Sequence, residues 1–157
     1  MALDPNRWTL KTQEAFNAAT EAARSRNHAE VTPDHFLLAM LGQEGTVVLP
    51  ILAKVGVAAL PLRNRVEEAL GKLPRSYSGS GGASEVQLNR DLRTILNQAD
   101  TERGGLGDEY LSIEHILLAM ASRLKVSRDD LLTALKEVRG SHRVSSQNPE
   151  EQYQALE

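Results

Sequence analysis

The chain contains an internal repeat, which constrains its possible folds more strongly than any single motif. Shifting the sequence by 80 positions aligns residues 8–41 with residues 88–121 without a gap. In this alignment His35-Phe-Leu-Leu-Ala-Met40 falls on His115-Ile-Leu-Leu-Ala-Met120. Residues 57–71 also align with residues 126–140, after an 11-residue deletion in the second copy. The alternative is that the two segments are unrelated amphipathic helices. They would then share their caps, the phase of their apolar residues and the order of their segments by coincidence. We therefore predict a duplicated, pseudo-twofold structural unit.

Apolar residues recur at helical spacing near the start of each copy, which predicts a helix there. Thr9 and Asn89 precede these two segments and are suitable N-caps. Thr32 and Ser112 are the corresponding caps of the next helix, and each is followed two residues later by an acid. The apolar positions of the first helix are Trp8, Ala15, Phe16, Ala19 and Ala23 in one copy, and Leu88, Leu92, Ile95, Leu96 and Ala99 in the other.

The remaining segments complete an all-α fold class of about seven to eight helices. Residues 36–41 and 116–121 are apolar nearly all round, which predicts a buried helix at the centre of each copy. Gly42 is expected to end the first of these as a C-terminal cap. Residues 46–55 predict a short extra helix, ended by Gly56, that the second copy lacks. Residues 60–70 and 128–138 predict the last helix of each copy, the second opened by a capping box of Ser127 and Asp130.

The composition changes between the two copies and again near the C-terminus. In this interpretation residues 1–75 form the first repeat and residues 88–140 the second, within one globular domain. The segment between them, residues 76–87, is rich in glycine and serine and is expected to be a flexible connection. Residues 141–157 are expected to be a linker followed by a helix that begins at Asn148-Pro149-Glu150. Because so short a helix is marginal alone, we expect the intact protein to continue beyond it.

The composition excludes several classes of function. The chain has 157 residues and no cysteine, which excludes disulfide scaffolds, cysteine-ligated zinc and thiol catalysis. Its net charge is -3 and no basic cluster is visible, so nucleic-acid binding is not expected. No segment has the pattern of a signal peptide or a transmembrane helix, so we expect a soluble, cytoplasmic protein without membrane contact.

Sequence motifs for catalysis and cofactor binding are absent as well. The pair Gly71-Lys72 is followed by leucine and lacks the preceding glycine of a nucleotide-binding P-loop. The patterns of serine hydrolases, zinc peptidases and calcium loops do not occur either. The sequence therefore predicts a non-catalytic segment with no cofactor or metal of its own. A free-standing small helical enzyme is the alternative, and it would require a pocket of paired titratable groups.

Two of the four histidines, His35 and His115, lie at equivalent positions in the two copies. A pseudo-twofold arrangement could bring them together as metal ligands or as an acid–base couple. The simpler interpretation is that each lies in the first turn of a buried helix and packs or bonds locally. We favour local bonding, because no carboxylate or further histidine recurs at ligand spacing beside both.

Four acids surround the loop between the first two helices of the second copy: Glu102, Asp108, Glu109 and Glu114. One interpretation is a solvated loop whose first-turn acid stabilises a helix N-terminus by a few tenths to ~1 kcal/mol. The other is a surface that orients the backbone amides or basic side chains of a partner. Spacing alone favours the solvated loop and leaves the partner surface as the alternative.

The duplicated HFLLAM and HILLAM segments, the loop GLGDEYLSIEH and the C-terminal QNPEEQYQALE carry a resemblance to a known family. Over essentially its whole length, the chain resembles the N-terminal domain and following linker of the ClpB family of bacterial AAA+ protein disaggregases. The resemblance implies an all-helical pseudo-dimer, monomeric alone, tethered to a homohexameric ring whose ATPase modules, absent here, bind ATP and Mg²⁺. It also implies binding of unfolded or aggregated polypeptide for delivery to the ring, with DnaK, DnaJ and GrpE as partners of the intact protein.

The resemblance further implies which residues bind the substrate. Thr9 corresponds to the family's threonine that caps the first helix, and Asp108 to its aspartate before the second buried helix. Glu114 corresponds to the acid in the first turn of that helix. The third helix missing from the second copy leaves the shape of the groove between the repeats open. The alternative within the same fold is a protease unfoldase of the ClpC or ClpA type, whose N-terminal domain binds an adaptor protein.

Overall fold

The computed structural model describes residues 4–75, 86–140 and 142–150. Helices dominate this part of the chain, and the predicted all-α fold class is confirmed. The described residues form eight α-helices, a 3-10 turn at Pro5–Arg7 and one pair of two-residue strands that was not predicted. The bounds are α1 Leu10–Ser25, β1 Glu30–Val31, α2 Pro33–Leu41, α3 Val48–Lys54, α4 Ala59–Gly71, β2 Gln87–Leu88, α5 Arg90–Leu106, α6 Ile113–Ala119, α7 Ala121–Leu124 and α8 Arg128–Arg139.

The N-caps predicted for the first helix of each copy are confirmed. Thr9 Oγ1 accepts a hydrogen bond from Thr12 N at 3.2 Å, and Asn89 Oδ1 accepts one from Asp91 N at 2.8 Å. Ser127 Oγ caps α8 in the same way at 3.0 Å. Because each cap satisfies a donor that the helix itself leaves unpaired, these helices begin at defined residues.

Backbone pairing joins the two copies at two places, and the internal repeat relates these two places to each other. Val31 pairs in parallel with Leu88, and Trp8 forms a parallel bridge with Leu111. A shift of 80 positions converts the first pair into the second, with the copies interchanged. In both pairs the N–H after Leu88 or Trp8 donates to the partner's carbonyl at 3.0 Å. Such reciprocity is typical of an isologous contact, so a pseudo-twofold axis relates the repeats.

Each copy packs its helices in the same way. In the first, α1 lies against α2 and α2 against α4, while in the second α5 lies against α6 and α6 against α8. The helices α2 and α5 meet across the seam, as do α3 and α8. The expected burial of the central helices is confirmed, because they contribute side chains with no exposed surface: Phe36, Met40 and Ile116.

The copies differ where the second is shorter. The first has the extra helix α3, whereas in the second the four-residue α7 follows α6 directly. The helix predicted over residues 116–121 is therefore divided, because α6 ends at Ala119 and α7 begins at Ala121. The shorter connection has to turn at once toward α8, and Lys125 makes this turn with a φ of 59°. Gly42 ends α2 as predicted, but at a φ of -90° that does not require glycine.

Two predicted segments fall outside the described residues for most of their length. They are residues 76–85 of the glycine- and serine-rich connection and residues 151–157 of the C-terminal helix. Within the described ranges, no helix combines the length and apolar character needed to cross a membrane.

Candidate functional site

The loop between α5 and α6 carries Asp108, one of the three predicted binding residues. Gly107 ends α5 with a φ of 72°, a left-handed conformation that glycine adopts at little cost. Asp108 then donates its N–H to Arg103 O at 3.1 Å, and Arg103 Nη1 donates to Asp108 O at 2.8 Å. These contacts hold the loop against the end of α5. The Asp108 side chain lies in the interior, and only 3% of the residue is exposed.

Arg139, in the last turn of α8, joins Asp108 to Glu114. Its Nη2 donates to Asp108 Oδ1 at 2.9 Å and its Nη1 donates to Glu114 Oε2 at 3.1 Å. All three side chains are at most 2% exposed. Buried ions stabilise a fold only when good geometry and further hydrogen bonds offset their desolvation, and Glu114 has one such further bond, to Ser112 Oγ. We call Asp108, Glu114 and Arg139 the acid–arginine cluster.

His115 supports Asp108 and also caps its own helix. Its Nδ1 accepts the N–H of Ser112, the N-cap of α6, at 2.8 Å. Because Nδ1 is an acceptor, the ring proton is on Nε2, which donates to Asp108 Oδ2 at 2.7 Å. The capping contact therefore fixes the tautomer that the carboxylate requires.

Opposing effects act on the pKa of Asp108. Burial alone would raise it, since a carboxylate loses hydration in the interior. The hydrogen bonds from His115 and from the N–H of Val144, together with the charge of Arg139, outweigh burial. They hold the pKa of Asp108 below its usual value, so this carboxylate is ionised at neutral pH.

Thr9, another predicted binding residue, is fully buried and anchors the far end of the same loop. Its N–H donates to Leu111 O at 3.0 Å, and its hydroxyl is hydrogen-bonded to Thr12 Oγ1 at 2.8 Å. Thr12 Oγ1 donates its own proton to Leu111 O at 3.0 Å, so Thr9 supplies the proton between the two hydroxyls. The contacts of Thr9 therefore position the loop that holds Asp108.

The first copy also has a capping histidine with a hydrogen-bonded partner, but that partner is a histidine instead of an aspartate. His35 Nδ1 accepts the N–H of Thr32 at 2.8 Å, and His35 Nε2 is hydrogen-bonded to His28 Nδ1 at 2.8 Å. His28 is the repeat equivalent of Asp108, 80 positions earlier. Burial, followed by the positive charges of His28 and Arg26, lowers the pKa of His35 to about 4. A neutral pair of histidines thus takes the place of the histidine and ionised aspartate of the second copy.

These contacts decide between the two interpretations of His35 and His115. Each lies in the first turn of a buried helix and bonds to the N-cap of that helix, so the prediction of local bonding is confirmed. Among the residues with described positions, no group of three or more histidine, aspartate and glutamate side chains is placed to hold a metal ion. The equivalence of the two histidines reflects a shared capping role.

The four acids of the second copy do not form a solvated loop. Glu102, Asp108 and Glu114 are buried, whereas Glu109 is exposed. Arg128 donates two hydrogen bonds to Glu102, and these lower the pKa of Glu102 despite its burial. The solvated interpretation is wrong for three of the four acids because arginines of α8, 25 to 31 positions further along the chain, pair with them.

The chain after α8 returns to this loop and covers it. Val144 N donates to Asp108 Oδ1 at 2.9 Å, and Val144 O accepts the N–H of Glu109 at 2.7 Å. Further along, Gln147 O accepts the N–H of Leu10 at 2.7 Å. We call residues 142–150 the tail. Its Val144 side chain is fully buried, so this part of the predicted linker packs on the domain.

Glu150 ends the described part of the tail in an unfavourable environment for a charge. It is 6% exposed, and its Oε1 has no hydrogen-bond partner among the described atoms. Burial and the nearby charge of Glu114 raise the pKa of Glu150 to about 7, with a smaller contribution from Glu14. Lys11 acts in the opposite direction. A docked Glu150 is therefore about half protonated near neutral pH.

The sequence contained signals for some of the residues of this site that we did not predict. Arg139 aligns with Leu70 of the first copy, so a charge occupies an apolar position of an amphipathic helix. Such a substitution indicates a buried partner. The spacing Ser112-x-x-His115 follows the capping-box pattern with histidine in place of glutamate. The docking of Val144 had no comparable signal.

The sequence matches the profile of one protein family, described as the Clp repeat (R) N-terminal domain, over residues 7–138. It is also 38% identical over 166 residues to the chaperone protein ClpB of Bacillus cereus. That alignment covers 99% of this chain and 19% of the relative, so the chain spans about a fifth of the relative's length.

Solved structures with the same fold include other N-terminal domains. The Hsp104 N-terminal domain of Candida albicans superposes with a TM-score of 0.75 at 22% identity, covering 91% of this chain and 98% of that one. A complex of the ClpV N-domain with a VipB peptide has a TM-score of 0.61 at 21% identity, covering 94% and 85% of the two chains. At these identities the likeness establishes the fold.

Proposed function

Because the chain belongs to the Clp repeat N-terminal domain family and corresponds to the N-terminal part of ClpB-type chaperones, we propose that it binds unfolded or aggregated polypeptide. The bound segment is passed to a hexameric, ATP-driven threading ring formed by the rest of the intact protein. That ring binds ATP and Mg²⁺ and works with DnaK, DnaJ and GrpE. The domain itself carries out no reaction in this role, which is to hold a client near the ring.

The docked tail carries this proposal. Val144 is held through its N–H on Asp108 and its carbonyl on the N–H of Glu109, while its apolar side chain is buried. Two of these contacts use main-chain groups that every residue except proline offers, and the third requires only an aliphatic side chain. A site of this kind accepts many sequences, as a receptor for unfolded chains must.

The three predicted binding residues have distinct parts in this proposal. Asp108 receives a backbone N–H of the client, as it receives that of Val144. Glu114 acts through Arg139, which it shares with Asp108, and Thr9 holds the loop through Leu111. Asp108 is then the contact residue, whereas Glu114 and Thr9 are positioning residues.

The chemistry of the site favours weak binding of apolar segments. Burial of one aliphatic side chain gains ~25 cal/mol per Å², and few hydrogen bonds accompany it. Ordering the client chain offsets much of this gain, so we expect an affinity that permits release into the ring. The fold is compatible with this role, since the ClpV N-domain of the same fold has been solved with a VipB peptide.

The proposal is tested by adding a permanently unfolded protein, reduced and carboxymethylated α-lactalbumin, to the isotope-labelled chain. Amide resonances of residues 107–111 and of Leu10 should shift, and Asp108→Asn should weaken binding several-fold. Glu109→Gln is the matched control. This substitution removes an exposed charge next to Asp108 and leaves the acid–arginine cluster intact. Shifts confined to residues remote from this loop, or no shifts at millimolar client, would contradict client binding here.

An adaptor-binding role, as in ClpC- or ClpA-type unfoldases, predicts a different outcome of the same experiment. The chain would then leave unfolded α-lactalbumin unbound.

A further inference from the structure

We infer that the loop surface beneath the tail is a binding site for a non-helical peptide segment with one small aliphatic side chain, and that the tail is its resident competitor. We call this surface the tail site and define it by Leu10 N, Asp108 Oδ1, Glu109 N and the buried position of Val144. The inference rests on the proposed function, because it assumes that clients bind at the same loop. It adds the kind of residue that is recognised and an intramolecular control of access.

The polar part of the tail site recognises a backbone. Val144 N meets Asp108 Oδ1 at 2.9 Å, Val144 O meets Glu109 N at 2.7 Å, and Gln147 O meets Leu10 N at 2.7 Å. These three contacts therefore all use main-chain atoms of the tail, and the Gln147 side chain adds hydrogen bonds of its own to Asn6 O and Trp8 O. Any non-helical peptide with the same spacing can replace them.

The helices of the domain do not use the two backbone donors of the tail site, Leu10 N and Glu109 N, in their own hydrogen bonds. Leu10 is the first residue of α1, so its N–H lies among the four that an α-helix cannot pair internally. Glu109 lies in the loop between α5 and α6, where its N–H bonds to the tail. When the tail leaves, these donors require water or another chain, which favours occupancy of the site.

Along residues 143–145, the apolar part of the tail site accommodates a single side chain. Val144 is fully buried, whereas Arg143 before it and Ser145 after it are exposed. Recognition along residues 143–145 thus concentrates on one small aliphatic group. Substitution of that group by an acid would bury a second carboxylate beside Asp108.

One unfavourable contact of the tail would help a client to displace it. At the other end from Val144, Glu150 is buried with one carboxyl oxygen unpaired among the described atoms. Because it is part of the same chain, the tail needs little affinity to compete, since short tethers give effective concentrations on the order of millimolar. Clients then bind only the fraction of molecules in which the tail site is free, which lowers their apparent affinity.

The inference is tested with the full 157-residue chain carrying Val144→Asp, which should release the tail. Affinity for carboxymethylated α-lactalbumin should rise on the order of tenfold, equivalent to about 1.4 kcal/mol. Ser145→Asp is the matched control, because it adds the same charge to the same tail at an exposed position and should leave affinity unchanged. A synthetic peptide of residues 142–150, HRVSSQNPE, should bind the Val144→Asp chain and compete with the client.

A second variant, Gln147→Ala, guards against a folding defect in the first. Gln147 Nε2 donates to Trp8 O at 3.1 Å, so its removal loosens the tail without burying a charge, and affinity should rise by a smaller factor. Client binding that is equal in both variants and the original chain would overturn the competition while leaving the proposed function intact. If no chain binds the client, the proposed function fails as well. Binding by all three chains that is tighter in the two variants than in the original chain supports both proposals.

Discussion

His28 and Asp108 occupy the same position in the two repeats, and each is hydrogen-bonded to the histidine that caps the following helix. The distances are 2.8 Å for His28 Nδ1 to His35 Nε2 and 2.7 Å for Asp108 Oδ2 to His115 Nε2. The charged version occurs in the copy where Arg139 replaces the leucine found at position 70. One framework thus supports a neutral pair in one repeat and an ionised cluster in the other.

Replacement of Arg139 by leucine, the residue of the first copy, should be strongly destabilising. Asp108 and Glu114 would remain buried without their cation, and loss of one partner of a buried ion pair costs about 3–5 kcal/mol. The free energy of unfolding in urea measures the effect. Arg63→Leu, at an exposed position of α4, is the control and should change stability by no more than about 0.5 kcal/mol. Equal losses in the two variants would contradict the role of the cluster.

Protonation of His35 should destabilise the fold in acid. Its pKa falls from 6.5 in the unfolded chain to about 4 in the fold, so the folded state binds fewer protons between these values. The stability that depends on neutral His35 is present above pH 6.5 and is lost as pH falls toward 4, up to about 3 kcal/mol. The His35 ring resonances, followed against pH by NMR, should titrate near pH 4. A midpoint near 6.5 would show that the imidazole is solvated.

Docking of the tail should weaken as pH rises. The pKa of Glu150 is about 7 in the docked tail, against 4.5 when the tail is free, so docking takes up protons. Glu114 and Glu14 face this carboxyl together with the opposing charge of Lys11. Between pH 5.5 and 8 the docking constant should fall on the order of tenfold. Hydrogen exchange of the Val144 amide measures docking.

The variant Glu150→Gln provides the check on this assignment. It removes the carboxyl without changing its size, so docking should become less dependent on pH and stronger at pH 8. Ser145→Asp is the control, because it changes the charge of the tail at an exposed position. It should leave the pH dependence of docking unchanged. An unchanged pH dependence in Glu150→Gln would assign the effect to another group.

Variants of Thr9 should separate its capping role from client binding. Thr9→Ala removes the cap of α1 and should cost about 1 kcal/mol of stability. Thr9→Asn, which copies the cap of the second repeat, should retain most of that stability. If Thr9 acts by positioning the loop, client affinity should follow stability in both variants. A Thr9→Asn chain that is stable but binds clients much more weakly would instead indicate direct contact.

The parts of the fold that depend on neighbouring residues could be predicted from the sequence. The helices and their caps at Thr9, Asn89 and Ser127 follow from local periodicity and side-chain chemistry. The parts that were missed depend on contacts between distant positions. Arg139 reaches Asp108 across 31 positions and Val144 reaches it across 36, and no local pattern specifies which acid an arginine will meet. Burial of the acids, which decides their chemistry, was therefore not predictable from spacing.

The reciprocal pairing of Val31 with Leu88 and of Trp8 with Leu111 has a consequence for the independence of the halves. Neither half contains its own strand partner, so residues 1–75 expressed alone would present an open edge and should fail to form a cooperative unit. The same edge is self-complementary, and two separately expressed halves supplied together should reassemble. Fusion of the halves into one polypeptide lets each accumulate its own substitutions, which an obligate dimer of identical subunits could not do.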